Sequence, residues 1–142
     1  MKRMSLNRFG EIVGRVMETL PAEFEAYLDN VVVEVEHEPT RELLHDLGYT
    51  DEDIDAGESL FGLFVPMPLP SPWGGDAIHL HDLPHKLMIF KRPLEEAFEG
   101  KRLLIEIRKT VIHELAHHFG WTDRDLERFD DTPDPFGDDF DK

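Results

Sequence analysis

Apolar residues recur at three- and four-residue intervals in two long stretches of the 142-residue chain. Near the N-terminus, residues 6–20 follow this spacing after Ser5, a residue type that commonly caps helices, and the pattern predicts an amphipathic helix over residues 5–19. The segment after Pro21 is expected to extend it following a break. The second stretch, residues 94–119, also predicts helix, with an interruption at Gly100.

Runs rich in valine and other apolar residues predict the strands. The segment VVVEVEHE ends at Pro39, a second candidate strand covers residues 60–65, and HKLMIF forms a third. Between them, TRELLHDLGY predicts a short helix that stops at Gly48, and TDRDLERF predicts a last helical turn or two. The order of elements indicates a small α+β domain with one sheet covered by helices. We expect one domain over residues 1–130 and an acidic, mobile tail over residues 131–142.

The second long helix carries polar residues that do not belong in a core. In TVIHELAHHFGWTD (residues 110–123), three histidines and two acidic residues fall within fourteen positions. On a helical wheel, the apolar positions from Leu103 to Leu115 form one arc, whereas His113 and His117 lie together outside it. Two imidazoles four residues apart stand one turn above the other, so both can bind a single metal ion.

A zinc ion at this place needs a third protein ligand, with water in the fourth position. Gly120 follows the helix and can adopt the left-handed conformation that reverses the chain. Asp123 then comes back under the helix end, and we predict it as the third ligand, with Asp125 and Glu127 as the replacements to test. Glu114 flanks the histidines and can reach the metal-bound water as general base.

Other histidines have simpler explanations. His118 projects towards the apolar arc, which favours packing or support of the site over ligation. His79, His81 and His85 lie in a segment without a known ligand spacing. They are interpreted as exposed loop histidines, and a second metal site is the alternative. For the main motif itself, the competing interpretation is a set of solvated surface residues.

Composition narrows the function classes. The chain has no cysteine, which excludes disulfides, thiolate zinc sites and cysteine nucleophiles. Its net charge of −16, from 31 acidic and 15 basic residues, opposes binding to nucleic acids and anionic membranes. Neither a signal peptide nor a membrane-spanning segment is predicted, so a cytoplasmic protein is expected.

The pattern HELAHHFGWTD, together with the preceding FKRPLEEAF, resembles the small bacterial zincin-like metallopeptidases, sometimes called minimal zincins. The likeness runs from about Val31 to Phe129. It implies a compact α+β domain whose small mixed sheet packs against helices that include the HExxH active-site helix. It also implies one Zn²⁺ per chain, bound by His113, His117 and Asp123, and Glu114 as the catalytic base.

Two functions remain open at this stage. The first is a zinc-dependent peptidase acting on peptides or unfolded proteins, which a strand such as KLMIF would hold by pairing along its edge. The second is a non-catalytic, metal-stabilised module that binds a peptide or protein, and a hydrolase of small amides is a third, weaker option. The larger extended-motif peptidases carry a methionine turn and a tyrosine downstream of the metal motif. This sequence has neither the methionine turn nor the tyrosine. Their absence concerns the efficiency of proteolysis more than the binding of the metal.

Overall fold

The computed structural model of the chain describes residues 4–66, residues 84–120 and Arg124. Helix α1 (Leu6–Met17) begins at Ser5, whose hydroxyl accepts a hydrogen bond from the Arg8 amide at 3.1 Å. A 3-10 turn (Ala22–Phe24) and the short helix α2 (Glu25–Leu28) follow Pro21, so the predicted break and extension are both present.

The remaining regular elements alternate between strands and helices. In chain order they are strand β1 (Val31–Glu36), helix α3 (Arg41–Asp46), helix α4 (Asp51–Asp55), strand β2 (Gly62–Val65), strand β3 (His85–Phe90), helix α5 (Lys91–Ala97) and helix α6 (Gly100–His118). Helix α4 was not predicted. The interruption at Gly100 is confirmed, since α5 and α6 are separate helices.

The three strands form one mixed sheet in the order β1-β3-β2. Strand β3 runs parallel to β1, with Val31 opposite His85, and antiparallel to β2, with Gly62 opposite Ile89. The expected α+β fold with a small mixed sheet is therefore confirmed. One detail was wrong: KLMIF belongs to β3, which is the central strand of this sheet, so it presents no edge to a substrate. Among the described residues, β2 and β1 are the edges.

Helices α1 and α6 cover the same face of the sheet. Helix α1 contacts β1 and α6, and α6 contacts β2 and β3. Phe9, Leu87 and Ile107 meet in the shared core with no exposed surface. The predicted apolar arc of α6 is buried throughout, at Leu103, Leu104, Ile107, Val111 and Leu115. Burial of this face fixes the rotation of α6, and hence the direction in which its polar face points.

Polar contacts join the helices to their neighbours. Arg108 of α6 is buried and donates hydrogen bonds to the hydroxyl and carbonyl oxygens of Thr19, at 3.2 and 3.3 Å. This places a cation just past the end of α1, where the helix dipole favours positive charge. Lys91 and Glu95 form an ion pair on α5 that is almost wholly buried.

None of the helices in the described part of the chain is long and apolar enough to cross a membrane.

Candidate metal centre

The polar face of α6 forms one wall of a cavity of about 400 Å³. The opposite wall is the segment that enters strand β2. The lining residues are Ser59, Leu60, Phe61, Gly62, Glu106, Lys109, Thr110, His113, Glu114 and His117. The cavity therefore brings together His113, Glu114 and His117, which were singled out from their spacing alone.

The two histidine rings are placed as neighbours on one helix turn. Their centroids are 6.3 Å apart and their planes are inclined by 63°. Two imidazoles that bind one zinc ion at nitrogen distances of about 2.1 Å have centroids roughly 5 Å apart. A small side-chain rotation closes that difference. His113 is half-buried and His117 is exposed, so a metal at this point would face the cavity rather than the core.

Glu114 lines the same cavity and is half-buried between the core-facing and solvent-facing sides of α6. Burial raises the pKa of its carboxyl, and the neighbouring His117 and His113 oppose that shift. The carboxyl is thus held in an environment of low polarity beside two imidazoles, which is the environment expected for a proton-transferring carboxylate in a hydrolytic site.

Helix α6 ends as the sequence predicted. Gly120 adopts a left-handed conformation with φ of 85°, and its amide hydrogen bonds to the His117 carbonyl oxygen at 3.4 Å. The chain therefore turns at the residue where a reversal was required. Asp123, together with Asp125 and Glu127, lies outside the described residues. Within residues 4–66 and 84–120, no three acidic or histidine side chains are grouped closely enough to hold a metal.

The cavity is also lined by Lys109 and Glu106, whose roles the spacing of the metal motif does not indicate. Lys109 lies one turn before His113, and its Nζ atom is 3.9 Å from Oε2 of Glu106. Arg102 approaches the same carboxylate oxygen at 2.6 Å. Because these two cations neutralise Glu106, and because it precedes His113 by two helix turns, it suits the cavity wall better than a metal site. Lys109 and Glu106 lie on the same helix face as His113. This shared face is the feature of the sequence that could have indicated their place in the cavity.

The segment entering β2 approaches α6 closely because Gly62 has no side chain. A Cβ atom added there would lie 2.6 Å from Cγ2 of Thr110 and 3.0 Å from the Met88 carbonyl oxygen. Thr110 is held in place by its hydroxyl, which donates to the Glu106 carbonyl oxygen at 2.8 Å. Gly62 therefore sets the distance between the two walls of the cavity.

His118 and His85 lie together at the end of the sheet, away from this cavity. The His118 ring stacks on Phe64 with centroids 4.0 Å apart, and His85 lies 5.6 Å from both rings. His118 is exposed, so its projection into the core was wrong; its ring lies at the surface, on the core residue Phe64. A packing role fits its stacking. His85 opens strand β3 and is half-buried, so it is not an exposed loop residue; His79 and His81 lie outside the described residues.

Comparison with known proteins supports the motif-based resemblance. A sequence model of the family described as zincin-like metallopeptidase matches residues 28–132. Among solved structures, the chain is similar to a conserved hypothetical protein from Thermo thermophilus, at 28% identity and a TM-score of 0.54. That likeness covers 81% of this chain and 94% of the other. No curated protein matches the chain.

Proposed function

Because the chain belongs to the zincin-like metallopeptidase family, we propose that it is a zinc-dependent peptidase. The observation that carries the proposal is the convergence of His113, Glu114 and His117 on one cavity. Two imidazoles one turn apart, with a carboxylate between them in sequence, provide two of the metal ligands and the base that this chemistry needs. The family relation supports this class of reaction, and the cavity supports its location on α6.

His113 and His117 would hold one zinc ion together with Asp123, whose position after the turn at Gly120 is the basis for assigning it. A bound zinc ion polarises a carbonyl group and makes its water ligand more acidic. The donor set fits zinc because it offers nitrogen and carboxylate oxygen, and the chain has no cysteine to favour softer metals.

Glu114 would accept the proton of the attacking water and pass it to the leaving amine. Lys109 is the cation that this cavity wall presents one turn before His113. Its ammonium group is suited to stabilise the negative charge that develops on the carbonyl oxygen. We assign it this role because no tyrosine follows the motif in the sequence.

An extended peptide would enter beside strand β2. This strand is an edge of the sheet among the described residues, and the residues just before it line the cavity. Backbone hydrogen bonds to such an edge hold a peptide independently of its side chains. The substrate class is therefore a peptide or an unfolded protein segment, which can adopt the extended form without first melting a fold.

The substitution Glu114→Gln tests the assignment. Glutamine has nearly the same shape, so zinc content and thermal stability should stay unchanged, while general-base catalysis is lost and the rate falls roughly 10²- to 10⁴-fold. Peptide cleavage is followed by mass spectrometry on the zinc-loaded protein. The matched control is Glu99→Gln, an exposed carboxylate just before the same helix, which should cleave like the wild type.

Three results would contradict the peptidase assignment. Equal cleavage by wild type and Glu114→Gln would identify a contaminating protease. Loss of zinc from the glutamine variant would mean that Glu114 is a ligand rather than the base. No cleavage of a diverse peptide set by the zinc-loaded wild type, with equal peptide binding by both proteins, would favour a non-catalytic binding module.

A further inference from the structure

A second and larger cavity, of about 870 Å³, adjoins the candidate metal centre. It is lined by helices α3, α4 and α5, by the segment after β1 and by the segment before β2. Ser59 and Phe61 line both cavities. Phe61 keeps 38% of its surface exposed, although its ring lies only 5.6 Å from that of Phe98. A large apolar side chain at the boundary of two cavities is placed to contact a ligand that occupies both.

The second cavity combines an apolar floor with a charged rim. Its apolar lining residues are Pro39, Leu44, Ile54, Phe61, Pro93 and Ala97. Leu44 is only 4% exposed, which makes it part of the solid floor. The charged lining residues are Glu38, Arg41, Glu58, Arg92 and Glu96. Such a site suits a side chain with a hydrocarbon stem and a charged head.

The sign of that charge follows from the ion pairs at the rim. Arg92 contacts Glu38 at 3.1 Å and Glu96 at 3.0 Å, so one guanidinium is shared by two carboxylates. Arg41 likewise contacts Asp51 at 2.9 Å and Asp55 at 3.2 Å. The lining itself carries three carboxylates and two guanidiniums, and Arg41 is paired with two further carboxylates outside the lining, so the net charge at the rim is negative.

Glu58 adds to that excess. The neighbouring carboxyl of Asp53 raises the pKa of Glu58, because two negative charges close together disfavour ionisation. Hydrogen bonds from Thr50 lower the pKa of Asp53 most, and the contact with Glu58 lowers it further. Two acidic groups side by side at a cavity rim are stabilised by an incoming cation, which relieves their mutual repulsion.

We propose that the larger cavity binds a lysine or arginine side chain of the peptide whose backbone crosses the candidate metal centre. The aliphatic stem would pack on Phe61 and the apolar floor, and the cationic head would lie against Glu58. The proposal rests on the proposed function for the position of the peptide, but the binding preference itself can be measured without catalysis. Continuity of the two cavities through Phe61 and the negative rim carry the argument.

The test uses peptide pools of one length in which a central residue is lysine, norleucine or glutamate. Norleucine keeps the whole hydrocarbon chain of lysine and removes the charged group. Binding to zinc-loaded full-length Glu114→Gln protein is measured by fluorescence anisotropy, and cleavage by the zinc-loaded wild type is measured by mass spectrometry. The lysine pool should be favoured over the norleucine pool by about fivefold, the value of one well-placed ion pair. The glutamate pool should bind least.

Two charge-reversal variants locate the effect. Glu58→Lys should bring the lysine and norleucine pools to parity or reverse their order. Glu52→Lys makes the same charge change on α4 at a residue that does not line the cavity, and it should keep the lysine preference. Thermal unfolding of both variants checks that the fold is unchanged.

The outcomes separate this inference from the proposed function. Cleavage without any preference for lysine overturns the inference and leaves the peptidase assignment standing. A lysine preference in binding that Glu58→Lys removes, without cleavage by the wild type, supports the inference and overturns the assignment. A preference that survives in Glu58→Lys, or that Glu52→Lys removes equally, places the recognition elsewhere and overturns the inference.

Discussion

Replacing Gly62 with alanine should destabilise the protein, although the change adds only one methyl group. The new Cβ atom would lie 2.6 Å from Cγ2 of Thr110 and 3.0 Å from the backbone oxygen of Met88. Non-bonded carbon atoms prefer separations of about 3.5–4.0 Å, so the first contact is strongly repulsive. The β-branched Thr110 is stiff within its helix, and rotating it would break its hydrogen bond to the Glu106 carbonyl oxygen.

To relieve these contacts, either α6 or the sheet must shift. Overpacking of this kind costs about 1–3 kcal/mol, and the two simultaneous contacts place Gly62→Ala near 2 kcal/mol. For a chain of this length, we expect the midpoint of thermal unfolding to fall by roughly 6–10 °C. Calorimetry, or circular dichroism with urea titration, measures both quantities.

Two further variants identify the cause. Thr110→Ser removes the offending methyl group and keeps the hydroxyl, so in the Gly62→Ala background it should restore about half of the lost free energy of unfolding. The contact with Met88 remains and limits the recovery. Gly14→Ala is the control, since a Cβ atom at this helical position meets nothing within 4 Å. It should raise stability by about 0.5–1 kcal/mol. A loss below about 0.5 kcal/mol in Gly62→Ala, or no coupling to Thr110→Ser, would refute the reasoning.

The other predictions concern residues outside the described part of the chain. Zinc should copurify at about one equivalent per chain, and Asp123→Ala should lose it during dialysis against a mild chelator, because two imidazoles alone hold zinc weakly. Retained zinc would show that another residue is the third ligand, and Asp125 and Glu127 would be substituted next. Removal of residues 131–142 should leave the thermal midpoint unchanged, because this segment has little apolar surface to bury. A drop of several degrees would mean that it packs on the domain.

Features governed by local periodicity could be predicted from the sequence. The rotation of α6 is an example, because a 3.6-residue repeat states which residues share a face without knowledge of the partner. Leu103, Ile107 and Val111 are buried as that repeat requires, and His113 and His117 line the cavity. The helix stop at Gly120 was also predictable from local sequence, because glycine favours the left-handed turn that ends a helix.

Features governed by pairing between distant segments could not be predicted in the same way. KLMIF was expected beside the cleft, but β3 lies between β1 and β2. Its unbroken apolar run is typical of a strand covered on both sides, and that signal favoured the central position. The opposite wall of the metal centre, from Ser59 to Gly62, lies about fifty residues before the motif. Nothing in its own sequence connects it with α6.

Helix α4 shows how a charged run can conceal regular structure. Its sequence, DEDID, offers a single apolar residue and no periodic face. The helix is begun instead by reciprocal hydrogen bonds between Thr50 and Asp53, in which each side chain accepts from the backbone amide of the other. This capping box was visible as a threonine followed by an acidic residue three positions later. Helix α4 contributes to the lining of the larger cavity. Because the helix was not predicted, the cavity could not be predicted either.

The geometry of the candidate metal centre depends on the core through the residues that alternate with its ligands. Ile112 precedes His113, and Ala116 precedes His117; both are almost fully buried in the core. A helix backbone moves as a unit, so any change that displaces Ala116 from the core also moves the His117 ring. Close packing of α6 therefore fixes the backbone positions from which the two rings project, and side-chain rotation adjusts the distance between them. This packing involves core residues that are not ligands, so two of the three proposed ligands are held on a rigid element of the fold.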